Sequence, residues 1–154
     1  DKSEEETLDI IAQRSRDDSR TPMQWDDSEN AGFTTGTPWI GVADNYRQIN
    51  AAAEMDDPDS VRSFYKTLVH LRKTHKVISE GKIAFLYPDD ADLLAYRRYG
   101  APDGEELLVL CNLTEHDAPY TLPEGWADAD KLLGNYPDRN DALRPYECLI
   151  LIKA

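Results

Sequence analysis

The chain has 154 residues, of which 40 % are hydrophobic and 31 % charged, and 17 basic against 30 acidic residues give a net charge of −13. This length can bury a core, and the composition is that of a globular protein rather than a disordered one. The acidic surface disfavours nucleic acid and anionic membranes as partners, because their phosphates would repel it. No apolar run reaches the ~18 residues of a membrane span, and no signal-peptide pattern is present.

The two cysteines, Cys111 and Cys148, both lie in apolar runs that resemble strands. One disulfide between them is compatible with the sequence, but two buried free thiols is the favoured interpretation. No CxxC motif and no His/Cys cluster has the spacing of metal ligands. We therefore expect a cytoplasmic protein without a metal site and without a cofactor.

The first half of the chain alternates helical and irregular segments. Residues 4–13 are predicted to be the end of a helix, and a long irregular loop is predicted from residue 15 to about residue 54. A second helix is predicted over residues 58–76, with Pro58 in its first turn and Asp57 as its cap. Its apolar stripe consists of Val61, Phe64, Tyr65, Leu68 and Leu71. This stripe needs a partner surface, so we expect it to pack on the β part or to mediate self-association.

The second half has the two-residue period of strands. Six runs are predicted as strands: 82–87, 93–99, 106–113, 118–122, 131–135 and 147–153. Residues 100–104 carry a hairpin turn signal, and the run 106–113 is apolar enough for a central strand covered on both faces. The pattern predicts an antiparallel sheet or sandwich, with a boundary to the first half near residue 77.

The irregular loop carries the residue types that bind sugars. Two arginines, Arg16 and Arg20, alternate with acidic residues, and aromatic residues lie in the same segment or just after it. The acidic and aromatic residues are Asp17, Asp18, Asp26, Asp27, Trp25, Phe33 and Trp39. Guanidinium groups and carboxylates can hydrogen-bond sugar hydroxyls while flat rings cover the C–H face of the sugar. A long loop with this content is more often functional than a linker.

Several strings, in one order along the chain, resemble a known family. They are residues 15–25 (Ser-Arg-Asp-Asp-Ser-Arg-Thr-Pro-Met-Gln-Trp), 30–33, 38–39, 45–50, 57–60, 71–73, 134–136 and 143–147. They are similar to the α-amylase superfamily (glycoside hydrolase family 13). Within it, they resemble the branch of oligo-1,6-glucosidases, α-glucosidases and trehalose-6-phosphate hydrolases.

The resemblance implies an α+β architecture. Residues 1–76 would be the last part of a (β/α)8 catalytic barrel, a loop plus the terminal helix. Residues 77–154 would be a carboxy-terminal antiparallel β-sandwich domain. The catalytic carboxylates of such barrels lie on earlier strands, and nothing here resembles those motifs. The resemblance therefore implies the carboxy-terminal fragment of a glucosidase that lacks catalytic residues of its own.

Only one substrate-binding residue is carried over from the family. Arg16 resembles the loop arginine that hydrogen-bonds the sugar in the first subsite; the alternative is an ion pair with Asp17 or Asp18. Asp18 itself stands where many relatives have Asn or His, which adds a negative charge near the pocket. Arg20 is assigned a structural role. Gln24 and Trp25 fit either the pocket rim or the loop core, Phe33 and Trp39 are assigned to packing, and His70, His75 and His116 are interpreted as surface residues.

Several functions remain open at this level. The first is the carboxy-terminal part of a retaining, exo-acting α-glucosidase that acts on short isomalto- or malto-oligosaccharides. A trehalose-6-phosphate hydrolase is the alternative within the same branch, supported by residues 39–50. A non-catalytic sugar-binding β-module and the glucosidase-like ectodomain of an amino-acid-transporter heavy chain are the others. The expected partner is a small-molecule oligosaccharide, bound only together with the missing barrel, and neither a nucleic acid nor a membrane is expected.

Overall fold

A computed structural model describes residues 2–154 as a mixture of helices and antiparallel sheet. The helices are α1 (Glu4–Arg14), α2 (Ala51–Met55), α3 (Val61–Thr74) and α4 (Lys76–Glu80), with 3-10 turns at Asp17–Ser19 and Glu29–Gly32. The strands are β1 (Lys82–Leu86), β2 (Leu93–Tyr99), β3 (Glu106–Asn112), β4 (Ala118–Pro119), β5 (Asp130–Gly134), β6 (Ala142–Leu143) and β7 (Cys148–Lys153). The chain divides into two compact units within α3, the first ending at Thr67 and the second running Leu68–Ala154.

The amino-terminal helix forms where the sequence predicted it and is capped by its own side chains. The hydroxyl of Ser3 accepts a hydrogen bond from the backbone N–H of Glu6, and the Glu6 carboxylate accepts one from the backbone N–H of Ser3. This reciprocal arrangement satisfies two N–H groups that the first turn would otherwise leave unpaired. The acidic residues of that turn also interact favourably with the positive end of the helix dipole.

The predicted helix over residues 58–76 is shorter and capped differently than the sequence suggested. Asp57 forms a tight turn instead of a cap, because its carboxylate accepts the backbone N–H of Asp59. The cap is the buried Ser60, whose hydroxyl accepts the N–H of Ser63 at 3.2 Å. At the other end the helix stops at Thr74, because His75 is extended and α4 begins after it. The prediction of Asp57 as the cap was therefore wrong.

The second unit is built on a five-stranded antiparallel sheet with the order β1-β2-β3-β7-β5. The β2–β3 hairpin at residues 100–104 is confirmed, as is the central position of β3. The run predicted at 118–122 is a strand only over Ala118–Pro119. It pairs with β6, which the sequence analysis did not predict, in a separate two-stranded sheet.

The core lies on both faces of β3. Leu108 and Leu110 point into the larger cluster around Trp126, while Leu107 packs with Val77 of α4 on the opposite face. Residues of the larger cluster also come from β2, β4, β6 and β7. They are Leu93, Ala95, Ala118, Leu143, Leu149 and Leu151. A strand buried on both faces explains why the sequence of β3 is apolar without alternation.

Among residues 2–154, no helix has both the length and the apolar character that a membrane crossing requires.

A buried leucine of β3 and an exposed leucine just after it allow a direct test of the core. We expect Leu108→Ala to lower the free energy of unfolding by about 2–5 kcal/mol, because the removed atoms leave a cavity in a fully buried site. The matched control is Leu113→Ala, the same substitution at a side chain that is 61 % exposed, with an expected change of about 0.5 kcal/mol or less. Urea unfolding monitored by tryptophan fluorescence would measure both. Equal losses for the two variants would contradict the core assignment.

Candidate functional site

Arg16 lies at the surface between α1 and the first 3-10 turn. Its backbone carbonyl is the acceptor that closes this turn, receiving the N–H of Ser19 at 3.2 Å and the Ser19 hydroxyl at 2.8 Å. Its guanidinium makes no ion pair with Asp17, and the side chain of Asp18 lies outside what the structure describes. The turn therefore fixes the backbone at Arg16, and the side chain extends from it into solvent.

The loop that follows is ordered by backbone hydrogen bonds to the start of α2. The carbonyl of Gln24 accepts the N–H of Ala51 and that of Trp25 accepts the N–H of Ala52, both at 2.9 Å. The side-chain amide of Gln24 donates to the carbonyl of Ile49. The first N–H groups of a helix have no partner within the helix, so the loop supplies partners that water would otherwise provide. Gln24 and Trp25 thus join the loop to α2 through their backbones.

Asn50 is the polar side chain at the centre of this junction. It is 6 % exposed, and its side-chain oxygen caps α2 by accepting the N–H of Ala53 at 2.9 Å. Its side-chain nitrogen donates to the carbonyl of Tyr46 at 2.9 Å. Both ends of the amide are therefore paired, as a buried amide requires. Asn50 directly precedes an alanine-rich run, which is a typical cap pattern, but the sequence analysis did not predict it as a cap.

A second fixed turn surrounds Asp26. The N–H and the hydroxyl of Ser28 both donate to the Asp26 carboxylate, and these bonds hold the pKa of Asp26 below its ordinary value. Three successive residues then adopt positive φ: Asn30 at 53°, Ala31 at 56° and Gly32 at 66°. The buried Ala31 carbonyl accepts the N–H of Trp25 at 2.9 Å. The loop is therefore a folded element in which backbone strain is held by local hydrogen bonds.

An open cleft of about 520 Å³ lies beside this loop in the first unit. Its lining residues are Thr21, Pro22, Met23, Gln24, Trp25, Ile49, Asn50, Ala51, Glu54 and Arg62. Arg16 is not among them, so the structure does not bring the predicted sugar contact and this cleft together. Glu54 is held in the wall of the cleft, because its carboxylate accepts the backbone N–H of Arg62 at 3.1 Å.

The aromatic side chains of the loop are exposed. Phe33 is 49 % exposed and Trp39 is 95 % exposed, so within the described residues Phe33 is packed only in part and the ring of Trp39 is not packed at all. The backbone next to Phe33 is fixed, because its N–H donates to the carbonyl of Asn30 at 3.0 Å. Trp25 is also about half exposed and borders the cleft. Flat rings displayed on an ordered loop are the surfaces that cover the apolar face of a sugar.

Two of the three histidines of the second unit, His75 and His116, have carboxylate partners. The Nδ1 atom of half-buried His75 lies 2.8 Å from the carboxylate of Glu105, so its interpretation as a plain surface residue was wrong. This contact, together with the bond from the Val77 N–H to Asp103, attaches α4 to the β2–β3 turn. His116 lies at the surface, 3.2 Å from Asp92.

The carboxyl groups with a shifted pKa are not suited to act as a general acid. Asp26 is lowered by Ser28, and the pKa of Asp138 is lowered by hydrogen bonds from Arg144. Burial raises the pKa of Glu147, but hydrogen bonds from Arg144 outweigh that effect and the net shift is downward. A glycosidase needs a carboxyl group that stays protonated near neutral pH, which requires a raised pKa. These three groups are held ionised instead.

Comparison with known proteins assigns the family. A family model described as "Alpha amylase, catalytic domain" matches residues 1–81, more than half of the chain. The chain belongs to the alpha-amylase family. The match covers the Arg16 turn, the Asp26 turn and α2, so the folded loop described above lies within a segment of this alpha-amylase family domain.

Individual members of the alpha-amylase family are similar over nearly the whole chain. The trehalose-6-phosphate hydrolase of Bacillus subtilis is 45 % identical over 149 residues, 92 % of this chain and 26 % of that protein. The oligo-1,6-glucosidase of Heyndrickxia coagulans is 42 % identical over 151 residues, 96 % of this chain and 26 % of that protein. In structure, the trehalulose synthase MutB is similar with a TM-score of 0.91 at 41 % identity, covering 99 % of this chain and 28 % of MutB. The chain thus spans about a quarter of the length of the curated relatives it matches.

The Asp26 turn yields a local stability test. We expect Gly32→Ala to destabilise the loop by about 1–3 kcal/mol, because residue 32 has φ +66° and an added Cβ would lie 2.7 Å from the Asp26 carboxylate. The control is Gly41→Ala, where an added Cβ meets nothing within 4 Å. Hydrogen exchange of peptides covering residues 24–36 would measure the opening of the loop. Unchanged exchange in Gly32→Ala, or an equal increase in both variants, would contradict this interpretation.

Proposed function

We propose that this chain is the carboxy-terminal part of a retaining, exo-acting α-glucosidase that hydrolyses short α-glucosides. The observation that carries the proposal is its identity of about 40 % to oligo-1,6-glucosidases over 95 % of its own length. This similarity is not confined to one motif, since it extends from the sugar-binding type of loop through the whole sheet of the second unit. The substrates proposed for the whole protein are isomalto- and malto-oligosaccharides.

The same proposal assigns a role to each part of the chain. Residues 1–76 would be the last segment of a (β/α)8 barrel, and residues 77–154 a carboxy-terminal β-sandwich domain. The end of the family match at residue 81 supports a boundary near residue 77. A cytoplasmic location is supported by Cys111 and Cys148, which are both free thiols, as is usual in reducing compartments.

Arg16 is proposed as the substrate contact. Its backbone is fixed by the Ser19 hydrogen bonds, while its side chain is exposed and makes no ion pair with Asp17. A guanidinium group presented in this way can donate paired hydrogen bonds to neighbouring sugar hydroxyls. Because Arg16 does not line the cleft beside Trp25, the sugar site would need further walls that this chain does not contain.

The chain by itself is proposed to be inactive. Retaining hydrolysis requires two carboxyl groups, one as nucleophile and one kept protonated as general acid. The shifted carboxyl groups Asp26, Asp138 and Glu147 all have lowered pKa values, which favours structural roles. In this proposal the segment supplies one side of a sugar site, and the chemistry is performed by other parts of the whole protein.

Trehalose-6-phosphate hydrolase activity is the second candidate. The identity of 45 % to the Bacillus subtilis trehalose-6-phosphate hydrolase favours it. However, this segment is 42 % identical to an oligo-1,6-glucosidase and 41 % identical to a trehalulose synthase. Because proteins with different reactions share it almost equally, we infer that the segment supports a common sugar site and that the choice of substrate is made elsewhere.

A chimera tests the proposal on a complete enzyme. This chain replaces the matching segment of the Heyndrickxia coagulans oligo-1,6-glucosidase, and hydrolysis of isomaltose and nitrophenyl glucoside is measured. We expect the chimera to be active and Arg16→Ala to lower its kcat/KM by roughly 10- to 100-fold, the loss of a charge-assisted hydrogen bond. The matched control, Arg14→Ala at the end of α1, should retain activity. The chain alone should release no glucose.

Two outcomes would contradict the proposal. Turnover by the purified chain alone would show that it contains catalytic groups of its own. Equal activity of the Arg14→Ala and Arg16→Ala chimeras would remove Arg16 from the substrate site.

A second chimera tests whether the segment supports both activities. This chain replaces the matching segment of the Bacillus subtilis trehalose-6-phosphate hydrolase, and hydrolysis of trehalose-6-phosphate is measured.

We also propose that the separate chain self-associates through α3. Over Val61–Thr74 no side chain is buried, and Val61 and Tyr65 are 78 % and 68 % exposed. The exposed row of Val61, Tyr65 and Val69 is costly to hydrate, whereas Phe64, Leu68 and Leu71 of the same helix are half-buried. Sedimentation velocity over a range of concentrations should show oligomers that Tyr65→Lys dissociates and that His70→Lys, on the polar side of the helix, leaves intact. A compact monomer at every concentration would contradict self-association.

A further inference from the structure

Cys111 and Cys148 face each other across the centre of the sheet. They are direct partners in the antiparallel register of β3 and β7, and their Sγ atoms lie 3.1 Å apart. Both residues are half-buried, and both are free thiols. A sulfur–sulfur approach this close between residues 37 positions apart in the chain is set by the strand register, not by local sequence. The structure therefore holds two thiols in contact before any bond forms between them.

The backbone geometry at this position suits a disulfide. The N–H of Asn112 donates to the carbonyl of Glu147 at 2.8 Å, which makes Asn112 and Glu147 a hydrogen-bonded pair. Pairs alternate along an antiparallel ladder, so Cys111 and Cys148 form a non-hydrogen-bonded pair. Such pairs have Cα atoms about 4.5 Å apart, within the range of roughly 4.4–6.8 Å that disulfides span. The bond needs a small approach of the sulfur atoms and no change of register.

The two thiols are chemically different. The hydrogen bond between the two thiols lowers the pKa of Cys111, although burial opposes this effect. The same hydrogen bond, burial and the charge on Cys111 raise the pKa of Cys148. The thiolate is the nucleophile in exchange reactions, so the first attack is assigned to Cys111. The neighbouring strand leaves an approach open, because Leu94, the partner of Cys111 on β2, is 40 % exposed.

We propose that Cys111 and Cys148 form a reversible dithiol–disulfide site that reacts with low-molecular-weight disulfides of the glutathione type. The Cys111 thiolate attacks one sulfur of the oxidised reagent, forms a mixed disulfide and releases one glutathione. Cys148 then gives up its proton and attacks Sγ of Cys111, which forms the intrachain bond and releases the second glutathione. The protein pair loses two electrons and two protons, and the reagent gains them. This inference does not rest on the proposed glucosidase function.

The bond would close a chain loop that contains β4, β5, β6 and Trp126. Cross-linking residues this far apart in sequence restricts the unfolded chain more than the folded one. We therefore expect oxidation to stabilise the second unit and to raise its Tm by on the order of 10 °C. The site would then act as a redox-dependent cross-link between two strands that surround the core.

The test uses the whole 154-residue chain, reduced and then incubated with oxidised glutathione. The expected main product is lighter than the reduced protein by two hydrogen atoms, retains no glutathione, and yields a cross-linked peptide joining Cys111 to Cys148. Its Tm should exceed that of the reduced protein, and dithiothreitol should reverse both changes. This wild-type measurement requires no substitution and therefore no assumption about the folding of a variant.

Single substitutions test the role of each thiol. Cys148→Ser should stop at a mixed disulfide on Cys111, and Cys111→Ser should form no intrachain bond, because each variant keeps only one of the two thiols. Circular dichroism establishes that each variant is folded. Stable glutathione adducts on the wild type, disulfide-linked dimers, no reaction of the native chain, or an intrachain bond without a change in Tm would each overturn the proposal as stated.

Discussion

The buried side-chain amide of Asn112 holds together the segments that close the second unit. Its nitrogen lies within hydrogen-bond distance of the carbonyls of His116, Leu143 and Arg144, at 2.6, 3.3 and 2.9 Å. Its oxygen accepts the N–H and the hydroxyl of Thr114 at 2.9 and 2.7 Å. One side chain at the end of β3 therefore fixes both the turn leading to β4 and the segment leading from β6 to β7. An unpaired amide at a site that is 2 % exposed would be costly, so each of these segments depends on the others.

The ion pair of Arg144 and Glu147, next to Asn112, makes the stability of these segments depend on pH. The Glu147 carboxylate is almost fully buried and accepts the backbone N–H, Nε and Nη2 of Arg144, all within 3.0 Å. These bonds raise the pKa of Arg144 and, against the effect of burial, lower that of Glu147. A carboxyl group with a lowered pKa in the folded state stabilises the fold above its ordinary pKa. That contribution is lost as pH falls through the lowered value. The guanidinium also stacks 4.0 Å from the ring of Tyr136, so the pair is held by packing as well as by charge.

The sequence predicted those parts of the fold that depend on local pattern. The hairpin at residues 100–104 and the apolar central strand β3 follow from turn residues and from burial on both faces. It did not predict β6, because two residues gain strand geometry only from pairing with β4. It misplaced the cap of α3, since Asp57 and Ser60 are both good caps and only the tertiary turn selects Ser60. At the candidate site, residue type suggested Arg16, whereas the junction of the loop with α2 depends on contacts 25 positions apart.

The first unit combines a fixed backbone with uncovered side chains, and that combination indicates how the segment works. The Asp26 turn and the bonds to Ala51 and Ala52 hold the loop in place. Leaving rings such as Trp39 in water forgoes stabilisation of about 1.5–3 kcal/mol for each side chain that could be buried. In the proposed whole protein, such rings would be covered by further parts of the barrel or by the bound sugar. A loop that completes a sugar site must be rigid before the sugar binds and must keep its guanidinium and aromatic faces available. In the sugar site proposed for this segment, this requirement would account both for the order of the loop and for the exposure of its side chains.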